Sequence, residues 1–123
     1  MKAIYVNSDG IDYAAAIVEA YKAIETRTRD VLKKLVGERV AIVRTHKSKK
    51  PEVIGYVTVT KKTFAFKETF DSLFDKHCVP AGSKYDCKPD GGKWLYWLTD
   101  AERCEPFQLP KTVVRHGRSW CEF

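Results

Sequence analysis

The sequence predicts one α+β domain built as a small, partly open, mostly antiparallel β-barrel flanked by two helices. Three observations predict it. Several segments alternate apolar and polar residues with period two, as half-buried strands do. Two other stretches place apolar residues at helical spacing. No repeat or linker divides the 123 residues of 1–123, a length suited to one core.

Lys2–Asn7 reads as the first strand, with Ala3 and Tyr5 on one face and Ile4 and Val6 on the other. Asn7-Ser8-Asp9-Gly10 is a turn, and Ser8 or Asp9 is expected to cap the helix that follows. Ile11, Ala14, Ala15, Val18 and Tyr21 mark its inward stripe, and it ends near Ala20. Ala23–Arg27 is the second strand, and Asp30–Val36 a helical turn stopped by Gly37 with Val31, Leu32 and Leu35 inward. Arg39–Thr45 is the clearest core strand, since Val40 and Ile42 serve one face and Ala41 and Val43 the other. The basic stretch His46–Pro51 is expected to be a loop that interrupts the sheet. Val53–Thr60 resumes it, with Val53, Gly55, Val57 and Val59 on one face, and Gly55 permitting a bulge or close backbone approach. Lys67–His77 is the second helix, its inner face formed by Phe70, Leu73 and Phe74. Val79–Gly92 is a long loop, Lys93–Leu98 a strand, and Glu105–Pro110 a proline-bounded edge segment. Val113–Phe123 is expected to close the sheet.

The chain carries a net charge of +6 and a sequence pI of about 9.2. That excess favours polyanionic partners, because neutralising phosphates releases counterions. No run approaches the ~18 apolar residues of a membrane span, and Met1-Lys2-Ala3 opens no signal peptide, so a cytoplasmic protein with no membrane partner is expected. Cys78, Cys87, Cys104 and Cys121 lack the close pairs of a zinc ribbon. A metal site built from His77, Cys78, Cys87 and either Cys104 or His116 is the weaker reading beside free thiols; no metal or cofactor is expected.

The densest chemistry lies in Lys22-Ala-Ile-Glu25-Thr-Arg27. On a strand Glu25 and Arg27 share a face, and Lys22 at the helix-to-strand join reaches the same side. Read in order, Tyr13-Ala14, Ile17-Val18, Lys22, Glu25, Arg27, Gly37-Glu38-Arg39-Val40-Ala41-Ile42 and Val53-Ile54-Gly55-Tyr56-Val57-Thr58-Val59 resemble the ASCH domain family, a branch of the PUA-like superfamily. The resemblance spans roughly residues 3–60, with a weaker echo at Trp94–Pro110. The family's G-x-K-x-x-E-x-R motif is present except for its leading glycine, which is Ala20 here.

The resemblance implies a PUA-like fold in which Lys22, Glu25 and Arg27 face a central cleft. It makes binding of single-stranded RNA, a nucleotide or a modified base the leading expectation. The second is an RNA-directed hydrolase, either a ribonuclease or a modified-nucleoside amidohydrolase, with Lys22 and Glu25 as its catalytic proton-transfer groups. Relatives resembling amidohydrolases of acetylated cytidine carry K-x-x-T-x-R, so Glu25 stands where their threonine would be. A third is a protein-interaction adaptor. Around the cleft, Arg44, Lys47, Lys49 and Lys50 are expected to contact phosphates. Further basic groups lie at Lys61, Lys62 and Lys67 and at Lys111, Arg115, His116 and Arg118. Thr45 is expected at the pocket border by the same resemblance. One of Trp94, Tyr96 or Trp97 is expected to stack on a base, and Tyr96 is included among the nucleic-acid-binding residues.

Overall fold

β1 (Lys2–Asn7) lies inside the sheet, because its two alternating apolar sets can be buried only with cover on both faces. In the computed structural model, which describes residues 1–123, one seven-stranded sheet has the order β2-β5-β4-β3-β1-β7-β6. Its strands are β1, β2 (Ile24–Arg27), β3 (Arg39–His46), β4 (Lys49–Phe66), β5 (Gly92–Gln108), β6 (Val114–His116) and β7 (Trp120–Glu122). β1 and β3 run parallel, and every other pair is antiparallel. Three short helices accompany them, α1 (Tyr13–Val18), α2 (Lys67–Ser72) and α3 (Phe74–His77), with a 3₁₀ turn at Lys33–Leu35. This is a small α+β, PUA-like fold. No helix is long and apolar enough to cross a membrane.

Ile4, Val6, Val40 and Ile42 join the main core with Ile17 and Val18 of α1. Ala3, Tyr5, Ala41 and Val43 form a smaller core on the other face, as their alternation predicts. The expected parity fails in β4. Val53 joins the smaller core while Ile54, Val57 and Val59 join the main one. A register shift between Val53 and Gly55 resets the alternation, as a bulge does. The close approach expected at Gly55 is present: a Cβ there would lie 2.3 Å from the Glu102 carbonyl oxygen and 2.6 Å from Val18 Cγ1.

The basic stretch 46–51 does not interrupt the sheet. Lys47-Ser48 is a tight turn, His46 pairs with Lys49, and Pro51 falls at a register shift, where a missing N–H costs no ladder bond. The expected Lys67–His77 helix breaks at Leu73, which has φ −103° and ψ 19°. Ser72 Oγ donates back to the Thr69 carbonyl at 2.7 Å, a local bond that competes with helix continuation. Phe70 stays buried, whereas Phe74 is exposed and His77 takes the inward place. The cap of α1 is Asp12, whose carboxylate accepts from Ala15 N at 3.1 Å; Ser8 and Asp9 do not serve. Tyr13 and Ile17, rather than Ile11, Ala15 and Tyr21, complete the buried stripe with Ala14 and Val18. Glu105–Gln108 is the far end of β5, not a separate edge segment.

The last residues extend the sheet instead of closing it: β7 pairs with β1, and β6 with β7. Three-residue strands there do not reach β2, so β2 and β6 remain edges and the barrel is not closed by backbone pairing. A side chain crosses the opening: Arg27 Nη2 donates to the Tyr5 carbonyl at 2.7 Å, joining β2 to β1.

Candidate functional site

The opening spanned by Arg27 is also where the sequence concentrates charge. After α1, Ala20 adopts a left-handed conformation at φ 66°, and both Tyr21 N and Lys22 N donate to the Ala16 carbonyl. That turn reverses the chain and sends Lys22 inward. Its side chain is 1% exposed, Nζ donates to the His77 carbonyl, and Glu25 Oε1 is 3.7 Å away. Nζ also sits 4.9 Å from the centre of the Tyr13 ring, a cation–π distance. Glu25 Oε2 accepts from Arg27 Nη2 at 2.9 Å, and Oε1 accepts from Thr26 N at 3.3 Å.

Burial disfavours both charges of the Lys22–Glu25 pair, and the neighbours decide the outcome. For Lys22 desolvation is the largest effect and holds its pKa below the usual lysine value, with Glu25 opposing and Arg27 assisting. For Glu25 desolvation pushes up, but Arg27 and Lys22 together with the hydrogen bonds from Arg27 and Thr26 N bring the carboxyl below its ordinary range. Glu25 is a carboxylate at neutral pH.

These residues line a pocket of ≈ 190 Å³ together with Tyr13, Tyr85 and Lys93. Lys93, 8% exposed, donates to Thr28 Oγ1 at 3.2 Å and pairs with no carboxylate; burial lowers its pKa. Tyr13 is 3% exposed, and its hydroxyl is the one buried side-chain polar atom without a hydrogen-bond partner. Around one small space there are thus three cations, one carboxylate and an unsatisfied phenol. A planar ligand with both donors and acceptors, or an anionic group, would complete these bonds.

Of the sequence-predicted residues, Lys22, Glu25 and Arg27 come together here. Thr45 Oγ1 bonds to the Val6 carbonyl at 3.2 Å and to Asn7 Oδ1. With Lys47 it lines a wider groove of ≈ 570 Å³ that also contains Lys84. Asn7 and Tyr85 line both spaces, so the groove continues the pocket. Arg44, Lys49 and Lys50 border a separate depression. There Arg44 is neutralised by Asp12 at 3.0 Å and Glu52 at 2.6 Å, which raises its pKa and removes it from the expected set of free phosphate contacts. Of the other basic groups, Lys61 lies over Trp97, Lys62 over Trp94 and Arg115 over Tyr5. Lys67 pairs with Asp71 and Asp86, and His116 stacks on Trp120.

Tyr96 does not reach the pocket. It is fully buried, its hydroxyl donates to Asp30 Oδ1 at 2.7 Å and accepts from Leu32 N at 3.2 Å, and burial with Asp30 raises its pKa. An inward tyrosine of a small sheet is core when its hydroxyl finds partners there. His77 is likewise occupied: Nε2 bonds to the Phe70 carbonyl at 2.7 Å and Nδ1 accepts from Val79 N at 2.9 Å. The four cysteines are free thiols.

Sequence reasoning missed Tyr13, Tyr85 and Lys93. Lys93 left a signal, since it shares strand parity with buried Leu95, and a charge on an inward face needs a reason. Tyr85 left none, because its position follows from the course of the 79–91 loop. That loop is stapled by Asp86, which accepts from Gly82 N and Cys87 N, both at 2.8 Å, and from Lys67 Nζ.

No family model matches the chain, and no curated protein does. Among solved structures the fold is similar to ASCH from Zymomonas mobilis, at 19% identity and TM-score 0.67, covering 87% of this chain and 73% of that one. Two mutant proteins of the same ZmASCH agree, at 21% and 20% identity and TM-score 0.68, covering 86% and 89% of this chain and 73% and 77% of theirs. At these identities the likeness is one of fold, and by its fold the chain is an ASCH-like domain.

Proposed function

We propose that the cleft binds a nucleotide of single-stranded RNA, or a modified base, with the base in the pocket and the backbone leading into the adjoining groove. One observation carries this reading: Arg27, Lys93 and the Lys22–Glu25 pair line one small space together with Tyr13, whose buried hydroxyl has no hydrogen-bond partner. Pockets for drug-sized molecules measure ~300–1,000 Å³, so a pocket of ≈ 190 Å³ suits one base or a similarly small group. Arg27 and Lys93 supply donors for phosphate or carbonyl oxygens. Glu25, ionised and with lone pairs to spare, accepts from an exocyclic amine. In the groove Lys47 and Lys84 meet phosphates without reading sequence.

Equilibrium titration of labelled oligouridylate and of uridine 5′-monophosphate tests the proposal, with Arg27→Gln and Lys93→Gln as variants. Each variant should weaken both ligands about tenfold, the size of one charge-assisted hydrogen bond of ~1.5 kcal/mol. Denaturant melts of the same samples separate binding from folding. Unchanged affinity in both folded variants would rule the pocket out.

The placement of Lys22 beside Glu25 in the pocket favours a second reading, hydrolysis with Lys22 and Glu25 as proton-transfer groups. Glu25, held ionised, would then accept rather than donate a proton. Cleavage of the oligonucleotide by the wild-type protein and its loss in Lys22→Ala would establish this reading over simple binding.

A further inference from the structure

Lys22 is held in place by a segment that the chemistry described above does not use. Three bonds tie the end of α3 to the turn that follows α1. Ala23 N donates to the Lys76 carbonyl at 2.8 Å, Lys22 Nζ to the His77 carbonyl, and Cys78 Sγ to the Tyr21 carbonyl at 3.4 Å. Lys22 therefore sits where residues 76–78 put it.

The His77 ring in turn fixes that segment. It is buried, stacked on Phe70 at 4.0 Å, and bonded at both nitrogens. Nδ1 accepts from Val79 N at 2.9 Å and so bears no hydrogen. The ring proton is on Nε2, which donates to the Phe70 carbonyl at 2.7 Å. Packing alone would be met by an apolar side chain of similar size. The two ring bonds do more, because they clamp Val79, which lines the pocket, to α2. Cys78 between the clamped residues is left-handed at φ 62°, a conformation that persists only where its surroundings impose it.

Protonation undoes the clamp at one atom. An imidazolium keeps its Nε2–H bond, but its new Nδ1–H meets the Val79 N–H, donor against donor. Burial, the largest effect, holds the His77 pKa below the ordinary histidine value; the bond to Phe70 opposes it and Lys22 assists. The other ionisable groups bearing on the ring are Asp71 of α2 and Asp86 of the 79–91 loop, and both are paired with Lys67. The ring is neutral at neutral pH.

We infer that His77 is a positioning residue of the cleft: its uncharged ring anchors Val79 and keeps the His77 carbonyl on Lys22, so the pocket stands assembled only while that ring is unprotonated. The inference rests on the pocket reading above and adds the regulation of that site by pH. The competent fraction is the neutral-ring fraction. Affinity is thus level above the His77 pKa and falls as pH drops through it, approaching tenfold per pH unit.

The test titrates a labelled oligouridylate lacking a terminal phosphate, whose phosphodiesters stay ionised, against wild type, His77→Asn, His77→Leu and Arg27→Gln. The series runs from neutral pH down to the onset of acid unfolding, with denaturant melts at each pH. Asparagine offers Oδ1 to the N–H two residues on, as in an Asx turn, and does not titrate. Leucine fills the space and offers no acceptor. Expected at neutral pH is near-wild-type affinity in His77→Asn and a loss of about tenfold in His77→Leu, the size of one missing buried acceptor. Below neutrality the wild type should lose affinity and His77→Asn should not, apart from the Glu25 limb common to both. NMR of the unliganded wild type reads the same clamp, and there the His77 ring and the Val79 amide should titrate together.

Superimposable pH profiles for wild type and His77→Asn would overturn the inference, and a continued weakening by Arg27→Gln would leave the pocket reading standing. A His77 ring that titrates while the Val79 amide stays unmoved would overturn it as well, whether or not His77→Leu folds. Oligonucleotide binding indifferent to Arg27→Gln would instead bring down the pocket reading, and this inference with it.

Discussion

Ala20 is the residue where local strain and the site meet. It holds φ 66°, a conformation that costs a Cβ-bearing residue about 1–2 kcal/mol. The ASCH pattern that the sequence resembles places glycine there. Ala20→Gly removes the strain and adds unfolded-state entropy worth ~0.4–1 kcal/mol, so a net gain of about 0.5–1 kcal/mol is expected in urea denaturation. Two residues on, Lys22 and Glu25 couple stability to pH. The folded-state pKa of Glu25 lies below its unfolded value, so its contribution is present above ~4.3 and is lost as pH falls through the folded value. Glu25→Gln should flatten that acid limb of the stability profile, read as denaturation midpoint against pH. Glu25→Ala strands Lys22 in the interior and should cost about 3–5 kcal/mol.

At the scale of elements, α1 sits where it does because β4 offers it a bare backbone. Gly55 lies under Val18, beside the Glu102 carbonyl of β5. Gly55→Ala forces the helix or the β4–β5 ladder to move, and overpacking of this kind costs ~1–3 kcal/mol or more. Because α1 delivers Tyr13 and, through its turn, Lys22 to the pocket, the same substitution should also weaken nucleotide binding, measurable by titration of the folded fraction. The strand parities of β1 and β3 were legible because those strands are short and continuous over their buried residues. Those of β4 were not, since register shifts over 53–61 reset a period-two reading that has no means of seeing them. The break of the second helix at Leu73 likewise depends on one hydroxyl turning back on its own turn.

For the whole molecule, the net charge of +6 is spread unevenly in effect. Arg39, Arg44, Lys62 and Lys67 are each paired with carboxylates, whereas Lys47 and Lys84 in the groove have no such partner. Oligonucleotide affinity should fall with salt, with a log–log slope of about −3 if Arg27, Lys93, Lys47 and Lys84 each meet a phosphate at ~0.7 per contact. Lys47→Gln should reduce the slope by about 0.7 and weaken all sequences alike, whereas Arg44→Gln should leave the slope unchanged.

By itself the sequence determined the alternation of β1 and β3, the inward helix α1, the cluster Lys22, Glu25 and Arg27, and the resemblance that named the fold class. These are local patterns, set by side-chain periodicity and by charges close along the chain. Only the tertiary structure decided that Tyr96 is core, that Arg44 is neutralised, and that Tyr13, Tyr85 and Lys93 share the pocket. Each of those depends on partners tens of residues away: Asp30 for the Tyr96 hydroxyl, Asp12 for Arg44, Thr28 for Lys93. Burial and neutralisation are properties of pairs brought together by the sheet, and no spacing along the chain encodes them.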